Sequence, residues 1–394
     1  MPKMILTVST GVGRVGLTSI SLGLVRALRR GQVRVGFSKP IAQPRPGDCG
    51  PERSTALAEL LTGVKAPAPL GLEHAEARIA NGEDEVLMEE VYSLFEDATG
   101  DAANVIVVEG LVPTDHVYAT QINLAMARAL GAQVVIVGRS KGEDPKELGE
   151  TFEIAARTYT EALGEEGVLG VVLNKAPTCS SPRMKTPDRF YSHPLDADFL
   201  AAFKQQLAKL SIRCLGVVPD SPALGAPRVR EIAEATGAVP INEGNTDRRV
   251  RLVCVAAMQV ENAVDRGMKP GSLIIVPGDR SDNLLAACMV SLSGVQLSGI
   301  ILCGGIRPPQ HILDLCGPAM DQGLPVFLSQ TSTFETARSA LSVDLEVPID
   351  DRDRAELVMN TVANGVDIDG LTKLLAAGRE ANISPPAFRH MLIQ

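Results

Sequence analysis

Short apolar runs rich in β-branched residues alternate along the chain with longer stretches whose apolar positions recur every three or four residues. An apolar run of four to seven residues suits a strand buried on both faces, and the longer period suits a helix laid over it. The pattern therefore predicts an α/β fold with a mostly parallel sheet. In the first half the predicted strands are 4–9, 33–37, 105–108, 134–137, 168–173 and 213–218. Residues 19–30 read as the helix after the first strand. Ile20, Leu24, Ala27 and Leu28 share one face, and Arg26, Arg29 and Arg30 crowd the C-terminal end, where positive charge suits the helix dipole.

A second series of the same kind follows, with strands at 252–257, 272–276, 299–302 and 326–328 and helices at 283–292 and 311–321. Between the two series lie a short helix at 228–236 and a turn at Gly244-Asn245. The polar, Pro-containing stretch 179–195 has no period and reads as a surface loop inside the first series. The expected organisation is a first domain at 1–220, a linker at 221–245, a smaller α/β domain at 246–350 and a helical tail at 351–394 with helices at 353–360 and 371–380. Ser384-Pro385-Pro386 breaks any further helix. No internal repeat is apparent.

Composition narrows the function classes. At 394 residues, 45% apolar and 22% charged, the chain can bury more than one core. A net charge of −9 argues against a surface built for nucleic-acid phosphates or anionic lipid. No run reaches the ~18–20 apolar residues needed to span a bilayer, and the start, Met1-Pro2-Lys3-Met4-Ile5, lacks a signal-peptide pattern, so a cytoplasmic location is expected. The seven cysteines (Cys49, Cys179, Cys214, Cys254, Cys288, Cys303, Cys316) are scattered and read as reduced thiols. The five histidines (His74, His116, His193, His311, His390) show no metal spacing.

The informative motif follows the first strand. Gly11-Val12-Gly13-Arg14-Val15-Gly16-Leu17-Thr18 has the spacing G-x-x-x-x-G-x-T of a P-loop, followed at once by a helix. Glycines at Gly11, Gly13 and Gly16 let backbone N–H groups converge on an anion at the helix N-terminus, and Thr18 is placed to ligate Mg²⁺. The lysine position is Leu17, which leaves phosphate charge to backbone dipoles and Arg14 and speaks against phosphoryl transfer. Lys39, Glu109 and Asn174 stand at carboxyl ends of strands, the edge where open α/β sheets bind ligands. Lys39 would meet a phosphate, Glu109 a magnesium ion and Asn174 an adenine edge. The bland alternative is a glycine turn with polar strand ends. In the second series, Arg280 at a strand-to-helix junction would grip a carboxylate or phosphate, or Asp279 and Arg280 would cap and charge the next helix.

Taken together, Thr10-Gly11, Gly16-Leu17-Thr18-Ser19, Ser21-Leu22-Gly23-Leu24 and Lys39-Pro40-Ile41-Ala42-Gln43-Pro44 resemble the dethiobiotin-synthetase-like domain that opens long-form bacterial phosphate acetyltransferases. Leu17 is part of that likeness. Glu109-Gly110 followed by Leu111-Val112 departs from the synthetase itself, where a glycine pair stands. The second series resembles the DRTGG domain of the same enzymes through Ile241-Asn242-Glu243-Gly244, Gly278-Asp279-Arg280, Gly304-Gly305, Gly323-Leu324-Pro325-Val326 and Leu345-Glu346-Val347-Pro348, although Ser281-Asp282 replaces Thr-Gly of the name motif. Ser384-Pro385-Pro386-Ala387-Phe388-Arg389 resembles the connector into the acetyl-transferring domain.

The resemblance implies a degenerate P-loop domain followed by a DRTGG-type domain. Together they would act as the regulatory and assembly segment of an enzyme that converts acetyl-CoA and phosphate to acetyl phosphate and CoA. The catalytic domain would be absent from these residues, whether the chain is a cut segment or a separate regulatory protein. Its partners would be that downstream domain, small-molecule effectors and further copies of itself. No cofactor is required by this reading; a nucleotide or phosphate with Mg²⁺ is the one to test. The alternative is a stand-alone ATP-dependent ligase of the dethiobiotin or cobyrinate-amidating type, against which Leu17 and the lack of a cysteine-centred glutaminase pattern both speak.

Overall fold

The computed structural model describes residues 2–11, 15–44, 50–99, 103–113, 117–179, 194–343 and 346–377. The chain divides into two compact units, one formed by the first half together with the residues from Val347 onward, the other centred on Ser221–Glu346.

The first unit is built on a six-stranded sheet of β1 (Lys3–Ser9), β2 (Val35–Ser38), β3 (Val105–Glu109), β4 (Gln133–Arg139), β5 (Val168–Ala176) and β6 (Cys214–Pro219). The order is β2-β3-β1-β4-β5-β6 and every pairing is parallel. Both faces are covered, and alternate strand residues serve opposite faces because successive side chains point to opposite sides. Leu6, Val8, Ile106, Val108, Val134 and Ile136 join α3 (Leu72–Ala80), α4 (Asp84–Thr99), α5 (Ala119–Ala129), α6 (Pro145–Leu163) and α7 (Ala197–Lys209). Ile5, Val105, Val107, Val135 and Val137 join α1 (Leu17–Arg30) and α2 (Arg53–Thr62) on the other face.

The second unit contains α8 (Val229–Ala235), β7 (Val239–Asn242), β8 (Leu252–Val255), α9 (Val260–Gly267), β9 (Ser272–Pro277), α10 (Ser281–Leu292), β10 (Gly299–Cys303), α11 (Gln310–Asp321), β11 (Val326–Leu328) and α12 (Thr333–Leu341). Its five-stranded sheet has the order β7-β11-β10-β9-β8, parallel except for the antiparallel pairing of β7 with β11. Apolar residues of α10 and α11 pack over one face of that sheet.

Three differences from expectation have physical causes. Residues 221–245, expected as a linker with a short helix at 228–236, contain that helix as α8 and add the edge strand β7; β7 is short and half exposed, so it carries no buried apolar run to find. Helices α2, α3 and α4 fill the interval between β2 and β3, where no element was predicted. The expected tail is part of the first unit: α13 (Arg352–Gly365) and α14 (Ile368–Ala377) bury Ala355, Met359, Val362, Leu371 and Leu375 in the layer that holds α1. Arg26 and Arg30 donate to the Asn360 side chain across that contact, and the Asp367 N–H donates to the Leu215 carbonyl of β6. The connector motif at 384–389 and most of the loop 179–195 lie outside the described residues.

Candidate functional site

The phosphate-loop frame begins where β1 ends. The Thr10 N–H donates to the Val137 carbonyl of β4, which ties the loop entrance to the sheet. Among the described residues Gly11 has no neighbour within 4 Å of where a Cβ would stand, whereas Gly16 has φ +77° and leads into α1. Gly13 and Arg14 lie outside the described residues. Leu17, in the lysine position, is 4% exposed and packs in the apolar layer beside Ile20 and Leu24.

Four strand or helix ends bring together Thr18, Lys39, Ser54 and Glu109. Glu109 ends β3 and is 2% exposed; Lys39 follows β2 and is 7% exposed. A single oxygen, Glu109 Oε1, accepts from Thr18 Oγ1 at 2.8 Å, from Lys39 Nζ at 2.8 Å and from Ser54 Oγ at 3.1 Å. Lys39 Nζ also stands 3.4 Å from Ser54 Oγ and 3.5 Å from Glu52 Oε1. The second Glu109 oxygen, Oε2, is buried with no hydrogen-bond partner among the described residues. Burial works against the Lys39 ammonium, but the Glu109 and Glu52 carboxylates outweigh it and hold Lys39 above its ordinary value. Burial is also the largest influence on Glu109 and pushes its carboxyl upward, Glu52 adding to that and Lys39 opposing it.

Neighbouring residues hold this cluster in place. The Asn123 side chain clasps Leu111 through its N–H and its carbonyl, both at 2.8 Å. Gln43 makes the same two-way clasp on Val112, at 2.8 and 3.0 Å. Glu52 caps α2 by accepting from the Thr55 N–H at 2.8 Å. Asn174 braces the phosphate loop: its amide nitrogen donates to the Val15 carbonyl at 2.8 Å, and its oxygen accepts from the Lys175 N–H at 2.9 Å. Both ends of the amide expected at an adenine edge are thus engaged within the chain.

The sequence put Thr18, Lys39 and Glu109 at one edge of the sheet, and the three meet at Glu109 Oε1. It missed Glu52, Ser54, Gln43 and Asn123. A helix start at Glu52-Arg53-Ser54-Thr55 would have been the signal for the first two. As a magnesium site the cluster does not fit. The ammonium of Lys39 already shares the Glu109 oxygen with Thr18, and a divalent ion there would face it at close range. Among the described residues no group of three or more His, Cys, Asp or Glu side chains is placed to hold a metal, and six cysteines are free thiols. No described helix is long and apolar enough to cross a membrane.

In the second unit, Arg280 forms a two-pronged pair with Asp282 at 2.8 and 2.9 Å and donates to the Ala257 and Met258 carbonyls. The guanidinium is thus spent on the loop between β8 and α9. Arg280 is the residue before α10 and makes no side-chain capping bond, and Asp279 is exposed. Beside them the Asn283 amide nitrogen donates to the Ala256 and Met258 carbonyls.

Comparison with known proteins agrees with this architecture. Residues 4–228 match the AAA domain family and residues 231–343 the DRTGG domain. The chain is 40% identical over 386 residues to a phosphate acetyltransferase of Pseudomonas putida, covering 96% of this chain and 53% of that protein. It is 36% identical over 403 residues to the phosphate acetyltransferase of Escherichia coli, covering 100% of this chain and 56% of that protein. The chain therefore spans about half the length of the curated relatives it matches. Likeness to solved structures is slight; the ATP complex of Cyanothece McdA aligns at a TM-score of 0.35, with 17% identity over 56% of this chain and 85% of that one. With a match over residues 4–228, more than half its length, this chain belongs to the AAA domain family, carries a DRTGG domain after it, and resembles phosphate acetyltransferases throughout.

Proposed function

We propose that the chain is the regulatory and assembly segment of a phosphate acetyltransferase, binding small phosphate-bearing effectors and biasing an acetyl-transferring domain carried by the same polypeptide. The observation that carries this reading is the likeness to those enzymes along nearly the whole chain while spanning only about half of them. Leu17 supports it: a buried leucine at the lysine position deprives the loop of the charge that phosphoryl transfer needs, yet leaves the glycine frame that cradles an anion. The ligase alternative is not favoured by the relatives or by Leu17.

The packing suggests how an effector would act. Helix α1 starts at the end of the phosphate-loop motif and carries α13 and α14 on its outer side, so a ligand held at the start of α1 bears on the helices through which the chain continues past Ala377. A coupling of ~1–3 kcal/mol is what such a device needs. Self-association belongs to the same proposal and is read by light scattering. The test joins residues 1–394 to the transferase domain and compares the rate of acetyl phosphate formation with that of the transferase domain alone, in the presence of NADH, pyruvate or ATP. A response to these metabolites only in the joined protein supports the proposal. Identical responses overturn it.

A further inference from the structure

The pair that P-loop chemistry assigns to a divalent ion, Thr18 at the start of α1 and Glu109 at the end of β3, is assembled here with a lysine among its oxygens. Lys39 Nζ lies 2.8 Å from Glu109 Oε1, 3.4 Å from Ser54 Oγ and 3.5 Å from Glu52 Oε1. Thr18 Oγ1 reaches the same Glu109 oxygen at 2.8 Å and Ser54 Oγ at 3.1 Å. Hard divalent ions take oxygen donors of this kind, carboxylates together with hydroxyls. We infer that the Lys39 ammonium occupies the place a divalent cation takes in a P-loop site, so that the Glu109 carboxylate is offset without metal. This inference rests on the cluster alone.

Two observations support the substitution. The centre of the cluster is buried, with Lys39 7%, Ser54 2% and Glu109 2% exposed, so the ammonium is not a surface charge that happens to lean inward. Glu109 Oε2 is buried and lacks a hydrogen-bond partner among the described residues. The pocket therefore has more acceptor capacity than one ammonium uses, as a site shaped for a more highly charged ion would. A tethered lysine cannot be diluted away or chelated, and its like charge opposes entry of a free divalent ion.

The test removes the charge and asks whether a metal takes its place. Lys39→Met in the 394-residue chain leaves Glu109, Glu52, Thr18 and Ser54 as oxygen donors around an apolar side chain. Mn²⁺ is titrated and followed by electron paramagnetic resonance, with circular dichroism confirming the fold. Wild type is expected to take up no stoichiometric Mn²⁺. The variant is expected to bind one ion per chain more than roughly tenfold tighter, and Lys39→Met combined with Glu109→Gln to lose that gain, as removal of supporting groups at metal sites typically costs 10–100-fold. Equal uptake by wild type and variant overturns the inference, as does a folded variant that binds none. Should Lys39→Met fail to fold, Lys39→Gln, which keeps a donor for Glu109 without the charge, makes the same comparison.

Discussion

Gly23 of α1 lies against Val362 of α13 so closely that a Cβ built on the glycine would come 2.1 Å from Val362 Cγ1 and 2.3 Å from its Cβ. The second distance matters most, because a Cβ cannot swing away as the end of a long side chain can. Glycine is thus required here by close approach of two helices, and the contact binds the C-terminal helices to the helix that begins in the phosphate loop.

Gly23→Ala is expected to destabilise the chain by ~1–3 kcal/mol, the usual range for overpacking, although alanine would otherwise gain roughly 0.5–1 kcal/mol over glycine inside a helix. Urea denaturation measures it. Adding Val362→Ala makes room for the new methyl group, so the double variant is expected to be more stable than Gly23→Ala alone. If the second change only adds to the loss, the two helices do not meet as described.

Glu109 and Lys39 form the most deeply buried ion pair of the candidate site, 2.8 Å apart. Glu109→Gln leaves a buried ammonium facing Glu52 alone, and breaking a buried pair by removing one partner costs roughly 3–5 kcal/mol. The pH dependence has a definite sign. Lys39 is held above its ordinary value of 10.5, so its contribution to stability is fully present below that pH and is lost as pH climbs through the raised folded value. The stability gap between wild type and Lys39→Met is therefore expected to narrow above pH 10.5, as read from denaturation midpoints. A gap that stays constant there would show that the ammonium adds nothing.

Asn174 and Gly16 test the brace on the loop. Asn174→Ala strands the Val15 carbonyl and the Lys175 N–H, with an expected loss of ~1–3 kcal/mol if both are left unsatisfied. Gly16→Ala meets two obstacles, a φ of +77° and a Cβ only 2.5 Å from Asn174 Nδ2. Combining the two relieves the second obstacle alone. The double variant is expected to lose less than the sum of the single losses, and strict additivity in thermal denaturation would count against the contact.

Much of the first sheet was legible because its strands are buried on both faces and stand out as apolar runs, as at Ile106-Val107-Val108 and Val134-Val135-Ile136-Val137. The loop residues Gly11, Gly16 and Thr18 and the strand-end residues Lys39 and Glu109 were legible for a related reason, since spacing and position after a strand mark them. Glu52 and Ser54 were not, because they stand at the start of α2, whose amphipathic pattern is weak between glycines and prolines. The place of α13 and α14 was illegible in principle. Their apolar stripes say that each covers something, but the partner, α1, lies more than three hundred residues earlier, and periodicity within a helix carries no record of which surface it meets.

Leu17→Lys restores the residue type that phosphoryl chemistry needs at this position, and it does so where the leucine is 4% exposed against the apolar layer. The exchange gives up most of a buried leucine head, so stability without ligand is expected to fall by roughly 1–3 kcal/mol. A lysine stem can lie along apolar surface while its ammonium turns toward the loop, and an anion bound there would recover part of the loss by mass action. The melting temperature of Leu17→Lys is therefore expected to rise with added ATP by more than that of wild type, corresponding to an affinity gain of about tenfold for ~1.4 kcal/mol of added interaction. Equal shifts in the two proteins would mean that the loop has the outline of a phosphate cradle without its function, and that Leu17 serves packing alone.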